Sequence, residues 1–357
     1  MIRPAALILG LLYMVTSPMT SVFAQEPFKI FLVGDAGDKE ESGETLINLH
    51  KELLKFPHSA VVFLGDNSYK DDLWGILAFG FKGFDSSENT MKKIRSQISL
   101  LDNYKGSAFF IPGNHDWWNR TTYQKGYQKL AMEESFIEEN LKTNPDLANP
   151  GNVFLPKHGS YGPEYAELNN KTIRLVFIDT YRIIQTGIKK NKIPEDEKSF
   201  YKRLDSVIRE GRQRKQKIMV VGHHPVYSIG PYNRILKRPY LFGRIKASNP
   251  DFPSYRAMIS EINKILKRYP GIYYGSGHLH ALQYFNTPDS IRYIISGAGS
   301  KEKKLSSKNI SKYDEGLSRD AFILWNTGGF FAVEFSGRKT NTILYYNNGT
   351  QQCSLPE

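Results

Sequence analysis

The stretch that decides the fold is residues 28–37, FKIFLVGDAG, in which an apolar run ends directly in Gly34-Asp35. The run is short and rich in aromatic and aliphatic side chains, which is typical of a strand buried on both faces of a sheet. Runs of the same kind recur along the chain with no Pro- or Ser-rich linker between them. We predict buried strands over residues 28–33, 60–64, 108–111, 173–178, 218–221 and 272–274.

Helical spacing of apolar residues predicts helices over residues 44–56, 200–215 and 255–269. Strands that alternate with helices indicate an α/β fold. The C-terminal part differs, because its apolar runs follow one another with little helix between them and predict an antiparallel finish. These runs are residues 293–296, 321–325, 330–335 and 342–346. We expect the charged stretch 301–312 to be an exposed loop.

Five of the predicted strands are followed by a glycine and then by side chains that can bind a metal ion. The five loops are Gly34-Asp35, Gly65-Asp66 with Tyr69, Gly113-Asn114-His115, Gly222-His223-His224 and Gly277-His278-Leu279-His280. Open α/β sheets place their sites at the carboxyl ends of strands, so we expect these loops to meet. Each motif alone has an ordinary explanation as a turn or a helix cap. Because five of the eight histidines lie in three of these loops, coincidence is a poor explanation of the whole set.

The candidate metal ligands are two carboxylates, a phenol, an amide oxygen and three imidazoles. They are Asp35, Asp66, Tyr69, Asn114, His223, His278 and His280. Seven groups are too many for one ion and suit two ions that share a bridging ligand. A phenolate with carboxylates suits Fe(III), whereas an amide oxygen with imidazoles suits a divalent ion such as Fe(II), Zn or Mn. A single cysteine, Cys353, excludes an intrachain disulfide and a cysteine-rich zinc or iron–sulfur site.

The ordered motifs GDxG, GDxxY, GNHD, VxxH and GHxH resemble those of the purple acid phosphatases, within the calcineurin-like metallophosphoesterase superfamily. The similarity is closest to the small, tartrate-resistant type and extends from residue 28 to the region of residue 300. It implies a β-sandwich of two mixed sheets flanked by helices, with the active site at the carboxyl ends of the strands. It also implies a single catalytic domain over residues 25–357.

The resemblance divides the seven ligands between a trivalent iron, a divalent ion and a bridge. The iron would be held by Asp35, Tyr69 and His280, the divalent ion by Asn114, His223 and His278, and the bridge would be Asp66. His115 would act as the general acid that protonates the leaving group, while a metal-activated water attacks phosphorus in line. Because Fe(III) is a strong Lewis acid and His115 must carry a proton, an acidic pH optimum is expected.

The chain departs from the family pattern at several positions. Mammalian-type enzymes carry a histidine five residues before the first histidine of the last motif, where this chain has Tyr273, so a proton donor there is in doubt. His224 stands where an aromatic residue is usual, and Trp117 and Trp118 come shortly after the third motif. We expect these three residues to reshape the substrate mouth, and we interpret Arg182 as an ordinary surface residue.

The N-terminus predicts export. Arg3 precedes an apolar run over residues 5–15, and Val22-Phe23-Ala24 offers a signal-peptidase cleavage site after Ala24. We therefore expect residues 1–24 to be a signal peptide and the mature protein to be secreted or periplasmic, with an uncleaved N-terminal anchor as the alternative. No later run is long enough to span a membrane, so no stable membrane insertion is expected.

The net charge alone identifies no partner. Lys and Arg number 48 against 36 Asp and Glu, which gives a net charge of +12; such a surface would attract phosphorylated substrates, nucleic acid or lipid headgroups, or would simply be soluble. We expect hydrolysis of phosphate monoesters, with small phosphorylated substrates and phosphoproteins as the substrate classes. Interleaved basic and aromatic repeats are absent, so no nucleic-acid partner is expected. The alternatives are a phosphodiesterase or nucleotidase of the same superfamily, and a non-catalytic metal- or phosphate-binding protein.

Overall fold

The computed structural model describes residues 26–38, 43–69, 87–117, 123–188, 195–229, 253–302, 304–306, 321–337, 339–347 and 351–355. The predicted signal peptide and Trp118 lie outside these ranges. Within them, no helix has the length and apolar character needed to cross a membrane.

Strands and helices alternate through the first two thirds of the chain, and strands dominate the remainder. The strands are β1 (Phe28–Val33), β2 (Ser59–Phe63), β3 (Ser107–Phe110), β4 (Glu164–Leu168), β5 (Ile173–Phe177), β6 (Lys217–Val221), β7 (Tyr273–Ser276), β8 (Leu282–Asn286), β9 (Arg292–Ser296), β10 (Ala321–Leu324), β11 (Gly329–Ser336), β12 (Lys339–Tyr346) and β13 (Gln351–Leu355). The helices are α1 (Glu44–Lys55), α2 (Ser87–Ile98), α3 (Tyr123–Leu141), α4 (Thr180–Ile188), α5 (Glu195–Gln213) and α6 (Pro253–Leu266).

The strands form two mixed sheets, as the sequence predicts. One sheet has the order β13-β12-β11-β1-β2-β3, and the other has the order β10-β8-β9-β7-β6-β5-β4. In the first sheet β1, β2 and β3 are parallel, and β11 to β13 add an antiparallel half. In the second sheet, β9 pairs antiparallel with β8, as predicted for residues 293–296. Its other neighbour, β7, is parallel to it, so the prediction is wrong for that pairing.

Side chains alternate along β1 between two hydrophobic cores, which explains why the strand is apolar throughout. Ile30 and Leu32 point into the core between the sheets. Phe31 and Val33 lie in a second core that includes apolar residues of α1, α2 and α3. A third core joins the outer face of the other sheet to α4, α5 and α6. The result is a four-layer sandwich, helix–sheet–sheet–helix.

The predicted strands and helices are found close to their predicted bounds, with some omissions. Helix α5 begins at Glu195 rather than at residue 200. Helices α2, α3 and α4 and strands β4, β8 and β13 were not predicted. The described residues of the predicted exposed stretch 301–312 are half-buried or exposed.

Candidate metal centre

The five motif loops meet at one edge of the sandwich, where the parallel strands of both sheets end. Main-chain hydrogen bonds join the loops: the Gly34 N–H donates to the Ser296 carbonyl at 2.7 Å, and the Gly277 N–H donates to the His223 carbonyl at 3.0 Å. The predicted ligands lie two to six residues beyond the ends of β1, β2, β3, β6 and β7. The arrangement follows the rule that α/β sheets build sites at the carboxyl ends of strands.

The first group of donor atoms comes from three loops. The Tyr69 hydroxyl donates to Oδ1 of Asp35 at 2.6 Å and lies 3.0 Å from Nε2 of His280. That nitrogen is 3.2 Å from the same carboxylate oxygen. Asp35 is wholly buried and Tyr69 is 3% exposed, so the three atoms converge beneath the surface.

The second group comes from three other positions. Nε2 of His223 lies 3.1 Å from Oδ1 of Asn114 and 3.3 Å from Nδ1 of His278. The opposite ring nitrogen of His223 is 2.8 Å from the carbonyl of Leu64. A carbonyl can only accept, so Nδ1 carries the hydrogen and Nε2 faces the group. An outer hydrogen bond of this kind is how proteins orient histidine ligands.

Asp66 lies between the two groups. Its Oδ1 is 3.4 Å from Nε2 of His223, and it interacts with the Tyr69 side chain of the first group. The same Oδ1 accepts the backbone N–H of His115 at 2.8 Å. The His115 ring lies outside both groups, with its centroid 4.4 Å from that of Tyr69. The structure thus brings all seven predicted ligands together and sets His115 beside them.

The backbone at the site is strained. Asp35, Asp66, His278 and His280 all have positive φ, between 51° and 72°, which is uncommon for residues other than glycine. Strain of this kind clusters where a site holds its side chains in fixed directions. Close packing adds to the constraint, because a Cβ at Gly113 would lie 2.2 Å from the backbone nitrogen of Asp66.

Electrostatic interactions at the site oppose the effect of burial on the pKa of Asp66 and of His223, and they add to it at Tyr69. Burial alone would raise the pKa of Asp66, but the charges and hydrogen bonds of His223 and His115 hold it well below its usual value. Burial would lower the pKa of His223, yet Asp66 and Asp35 raise it to about 9. For Tyr69, burial and the two carboxylates act together and raise the pKa of the phenol well above 10. A proton on His223 and the phenol proton of Tyr69 must leave before these atoms can bind metal.

The donor set fits two ions. Metal–ligand bonds of about 2.0–2.2 Å place neighbouring ligand atoms about 3 Å apart, and the measured separations within the two groups are 2.6–3.3 Å. Once the donor atoms of each group have lost their protons, their lone pairs face one another and repel. A cation between them would relieve this repulsion. Asp35, Asp66 and His223 form one candidate set of metal-binding residues, and His223, His224 and His278 form another.

Asp116 supports the site, a role that sequence reasoning missed. Its carboxylate is wholly buried and accepts hydrogen bonds from three backbone N–H groups and one side-chain amide. The donors are Gly113 at 2.7 Å, Asp66 at 2.9 Å, Ser68 at 3.1 Å and the Asn67 amide at 3.2 Å. Asp116 therefore ties the second and third motif loops to each other.

A buried charged cluster from helix α3 lies behind these loops. Lys129 donates to the carbonyl of His115 at 2.9 Å and forms a salt bridge with Glu133. Glu133 accepts the hydroxyl of Ser68 at 2.6 Å. Helix α3 therefore contacts both of the loops that Asp116 ties together.

The expected reshaping of the mouth is wrong for two residues. Trp117 is 1% exposed and donates to Oδ2 of Asp179 at 2.7 Å, and His224 is wholly buried beside Thr180 at 2.9 Å. Both support the loops from beneath. Tyr273 lies in the core between the sheets, so it supplies no proton donor. The Arg182 guanidinium is half-buried and packs 5.1 Å and 5.9 Å from the rings of Tyr161 and Trp117.

The sequence pattern of the calcineurin-like phosphoesterase family matches residues 28–282, a span that contains all seven predicted ligands. The chain belongs to the calcineurin-like phosphoesterase family. Members of this family are hydrolases of phosphate esters, so the metallophosphoesterase predicted from the motifs is confirmed at that level.

Individual relatives agree with this assignment. The chain is 22% identical to tartrate-resistant acid phosphatase type 5 of Homo sapiens over 291 residues, 80% of this chain and 74% of the relative. The Mus musculus protein of the same name is 22% identical over 304 residues, 83% of this chain and 78% of the relative. The resemblance to that type of phosphatase is thus confirmed as a distant similarity.

Solved structures share the fold. PhoD matches with a TM-score of 0.54 at 11% identity, over 92% of this chain and 68% of PhoD. GAP50, described as the anchor in the inner membrane complex of Plasmodium, matches with a TM-score of 0.53 at 15% identity, over 92% of this chain and 88% of GAP50. These matches confirm the architecture of the calcineurin-like phosphoesterases.

Proposed function

We propose that the protein is an exported acid phosphatase of the purple type, which hydrolyses phosphate monoesters at a binuclear Fe(III)–M(II) centre. The observation that carries the proposal is the position of the Tyr69 hydroxyl, 2.6 Å from Asp35 and 3.0 Å from His280. A phenol oxygen in a group with a carboxylate and an imidazole is a hard donor set suited to Fe(III). The similarity to tartrate-resistant acid phosphatase supports the same assignment.

We assign the ligands to the two ions as the resemblance to the purple acid phosphatases implies, and the two groups of donor atoms are consistent with that division. Asp35, Tyr69 and His280 would hold the iron; Asn114, His223 and His278 would hold the divalent ion, Fe, Zn or Mn; and Asp66 would contact both. When bound, the two ions would act as Lewis acids on the phosphoryl group and on a water molecule. The buried carboxylates and the Leu64 carbonyl keep these side chains in place.

His115 is assigned to proton transfer. Its backbone N–H is fixed on Asp66 at 2.8 Å, and its ring lies against Tyr69, outside both donor groups. A half-buried imidazole beside the metal ligands, but not among them, is placed to protonate a leaving oxygen. Because only the protonated ring can do so, activity should rise toward acidic pH.

Two aryl substrates test the activity and separate the alternatives. The metal-loaded protein should hydrolyse an aryl phosphate much faster than the corresponding bis-aryl diester. A preference for the diester would favour a phosphodiesterase. If the fully metal-loaded protein hydrolyses neither substrate, a non-catalytic metal- or phosphate-binding protein is favoured. The fold permits this alternative, because GAP50, an anchor protein, has the same fold.

Export is part of the proposal and has its own test. Expressed from its full sequence in a bacterial host with a Sec pathway, the protein should be recovered outside the cytoplasm with Gln25 as its first residue. Recovery from the membrane fraction with residues 1–24 still attached would contradict cleavage and indicate an anchor.

A further inference from the structure

A lysine lies directly over the tyrosine of the first donor group. Nζ of Lys301 is 3.9 Å from the centroid of the Tyr69 ring and 3.2 Å from Oδ1 of Asp38. The Lys301 side chain is 37% exposed and that of Asp38 is 36% exposed, so the ion pair faces solvent in part. Neither residue belongs to the seven ligands or to the proton donor.

The backbone fixes this lysine in position. Ser300 donates to the carbonyl of Asp35 from its backbone nitrogen at 3.1 Å and from its hydroxyl at 2.9 Å. The same hydroxyl accepts the backbone N–H of Asp38 at 2.9 Å. In addition, the Gly299 N–H donates to the Gly34 carbonyl at 3.0 Å. The loop after β9 is thus bound to the loop that carries Asp35, and Lys301 follows immediately.

Lys301 also lies near the proton donor. The Tyr69 ring, 3.9 Å from Nζ of Lys301, has its centroid 4.4 Å from that of the His115 ring. Lys301 is therefore in contact with Tyr69 and one side chain away from the group that would face the leaving group. A phosphoryl group held by the metals next to His115 would lie in this region.

The chemistry of a lysine suits this place. An ammonium is a compact point charge and a common phosphate ligand in proteins. A phosphate monoester carries two negative charges above about pH 6, whereas a diester carries one. One additional cation at the mouth favours the ester with the additional charge. Its partner Asp38 is a partly exposed carboxylate, which a phosphate oxygen can replace at modest cost because ion pairs that face solvent contribute little.

We propose that Lys301 is a substrate-binding residue that contacts a non-bridging oxygen of the phosphate and selects dianionic monoesters over diesters. This inference rests on the proposed phosphatase function. It adds a residue that determines specificity, outside the metal ligands, and it assigns to Asp38 the role of holding the lysine when no substrate is bound.

Four variants of the metal-loaded protein test the proposal. Lys301→Ala removes the cation, and Lys301→Arg keeps it. Asp38→Asn breaks the ion pair but leaves the ammonium in place. Lys267→Ala, which removes an exposed lysine paired with Asp289 at 3.0 Å, is the matched control. For each, kcat and KM are measured above pH 6 with an aryl phosphate and a bis-aryl diester, and binding of inorganic orthophosphate is measured by calorimetry.

Lys301→Ala should raise KM for the monoester and Kd for orthophosphate about tenfold or more, in the range of a charge-assisted hydrogen bond. Its effect on the diester should be small. Lys301→Arg should retain most of the affinity, and Asp38→Asn and Lys267→Ala should bind as the parent does.

Two results would overturn the proposal. If Asp38→Asn weakens phosphate binding as much as Lys301→Ala, the ion pair only holds the two loops together. If Lys301→Ala binds orthophosphate like the parent, Lys301 does not contact phosphate. Orthophosphate binding is measured without turnover, so it tests Lys301 even if the parent hydrolyses neither ester. Absence of hydrolysis by the parent would contradict the phosphatase function, not the role of Lys301 in binding phosphate.

Discussion

The carboxylate of Asp116 accepts the backbone N–H of Asp66 at 2.9 Å, across fifty residues of sequence. Asp66 has a left-handed backbone, with φ of 55°, and its side chain faces both donor groups. The hydrogen bond therefore helps to hold a residue with a strained backbone so that its carboxylate lies between the two donor groups. Asp116 positions the site although it touches neither group.

Replacing Asp116 should loosen both loops. In Asp116→Asn, the new amide N–H₂ would face backbone N–H donors, which leaves buried donors unsatisfied at a cost of about 1–3 kcal/mol. We expect a lower free energy of unfolding by denaturant and weaker metal retention during dialysis. Asp102→Asn, at an exposed surface position, is the control and should change neither quantity. Full stability and metal content in Asp116→Asn would refute the positioning role.

Asp66→Ala tests the bridge. A carboxylate that serves both ions should be the most damaging ligand to remove, so the variant should lose both metals after dialysis, as measured by elemental analysis. Asn114→Ala is the matched control, because it removes a donor of the second group only. It should lose the divalent ion and keep the iron. Retention of one full equivalent of metal by Asp66→Ala would contradict the bridging assignment.

His115→Ala separates proton transfer from metal binding. We expect turnover to fall by about 10²–10⁴-fold, the usual contribution of a general acid, with metal content near that of the parent. His158→Ala, whose side chain is 81% exposed, should leave both unchanged. Loss of metal from His115→Ala would show that His115 is a ligand.

Stability should depend on pH through a carboxyl far from the site. Burial raises the pKa of Glu197 to about 7, although the Tyr201 hydroxyl, which donates at 3.1 Å, lowers it in part. An unfolded glutamate titrates near pH 4.3. The folded chain thus binds this proton more tightly, and its stability falls as pH rises from about 4 to about 7.

Glu197→Gln should remove this dependence, because glutamine keeps an accepting oxygen for Tyr201 and has no proton to lose. The midpoint of thermal unfolding should exceed that of the parent at pH 8, and the advantage should disappear toward pH 4. The exposed Glu139→Gln is the control. An equal shift at both pH values would mean that Glu197 is not the group responsible.

The sequence predicted the strands best where both faces are buried. The bounds of β1 match the prediction because all six of its residues are buried and five of them lie in a hydrophobic core. Strand β4 was missed because it lies at a sheet edge, and most of its residues are half-buried or exposed, so no apolar run marks it. Helix α3 was missed because its buried face includes Glu133 and Glu134, whose charges interrupt the apolar period.

The site could be predicted as a set of side chains but not as a geometry. Each candidate ligand lies within six residues of the end of a strand, so its type and position are local in the sequence. The role of Asp116 depends on Asp66, fifty residues earlier, and the position of Lys301 depends on hydrogen bonds between the loops of Asp35 and Ser300. The first relationship arises when β2 and β3 pair in one sheet, and the second arises when the two sheets pack together.

The visible spectrum of the oxidised, metal-loaded protein, compared with that of Tyr69→Phe, tests the central claim most directly. A phenolate bound to Fe(III) gives a ligand-to-metal charge-transfer band that no other candidate ligand in this site would give. The parent should be pink to purple and should contain close to two metal ions per chain by elemental analysis, at least one of them iron.

Tyr69→Phe should lose the band but keep its iron and most of its activity, because Asp35, Asp66 and His280 still hold the ion. Tyr345→Phe, a buried tyrosine of β12, is the matched control and should keep its colour. A parent that is colourless with iron fully loaded and oxidised, or a Tyr69→Phe variant with an unchanged band, would contradict the proposed centre.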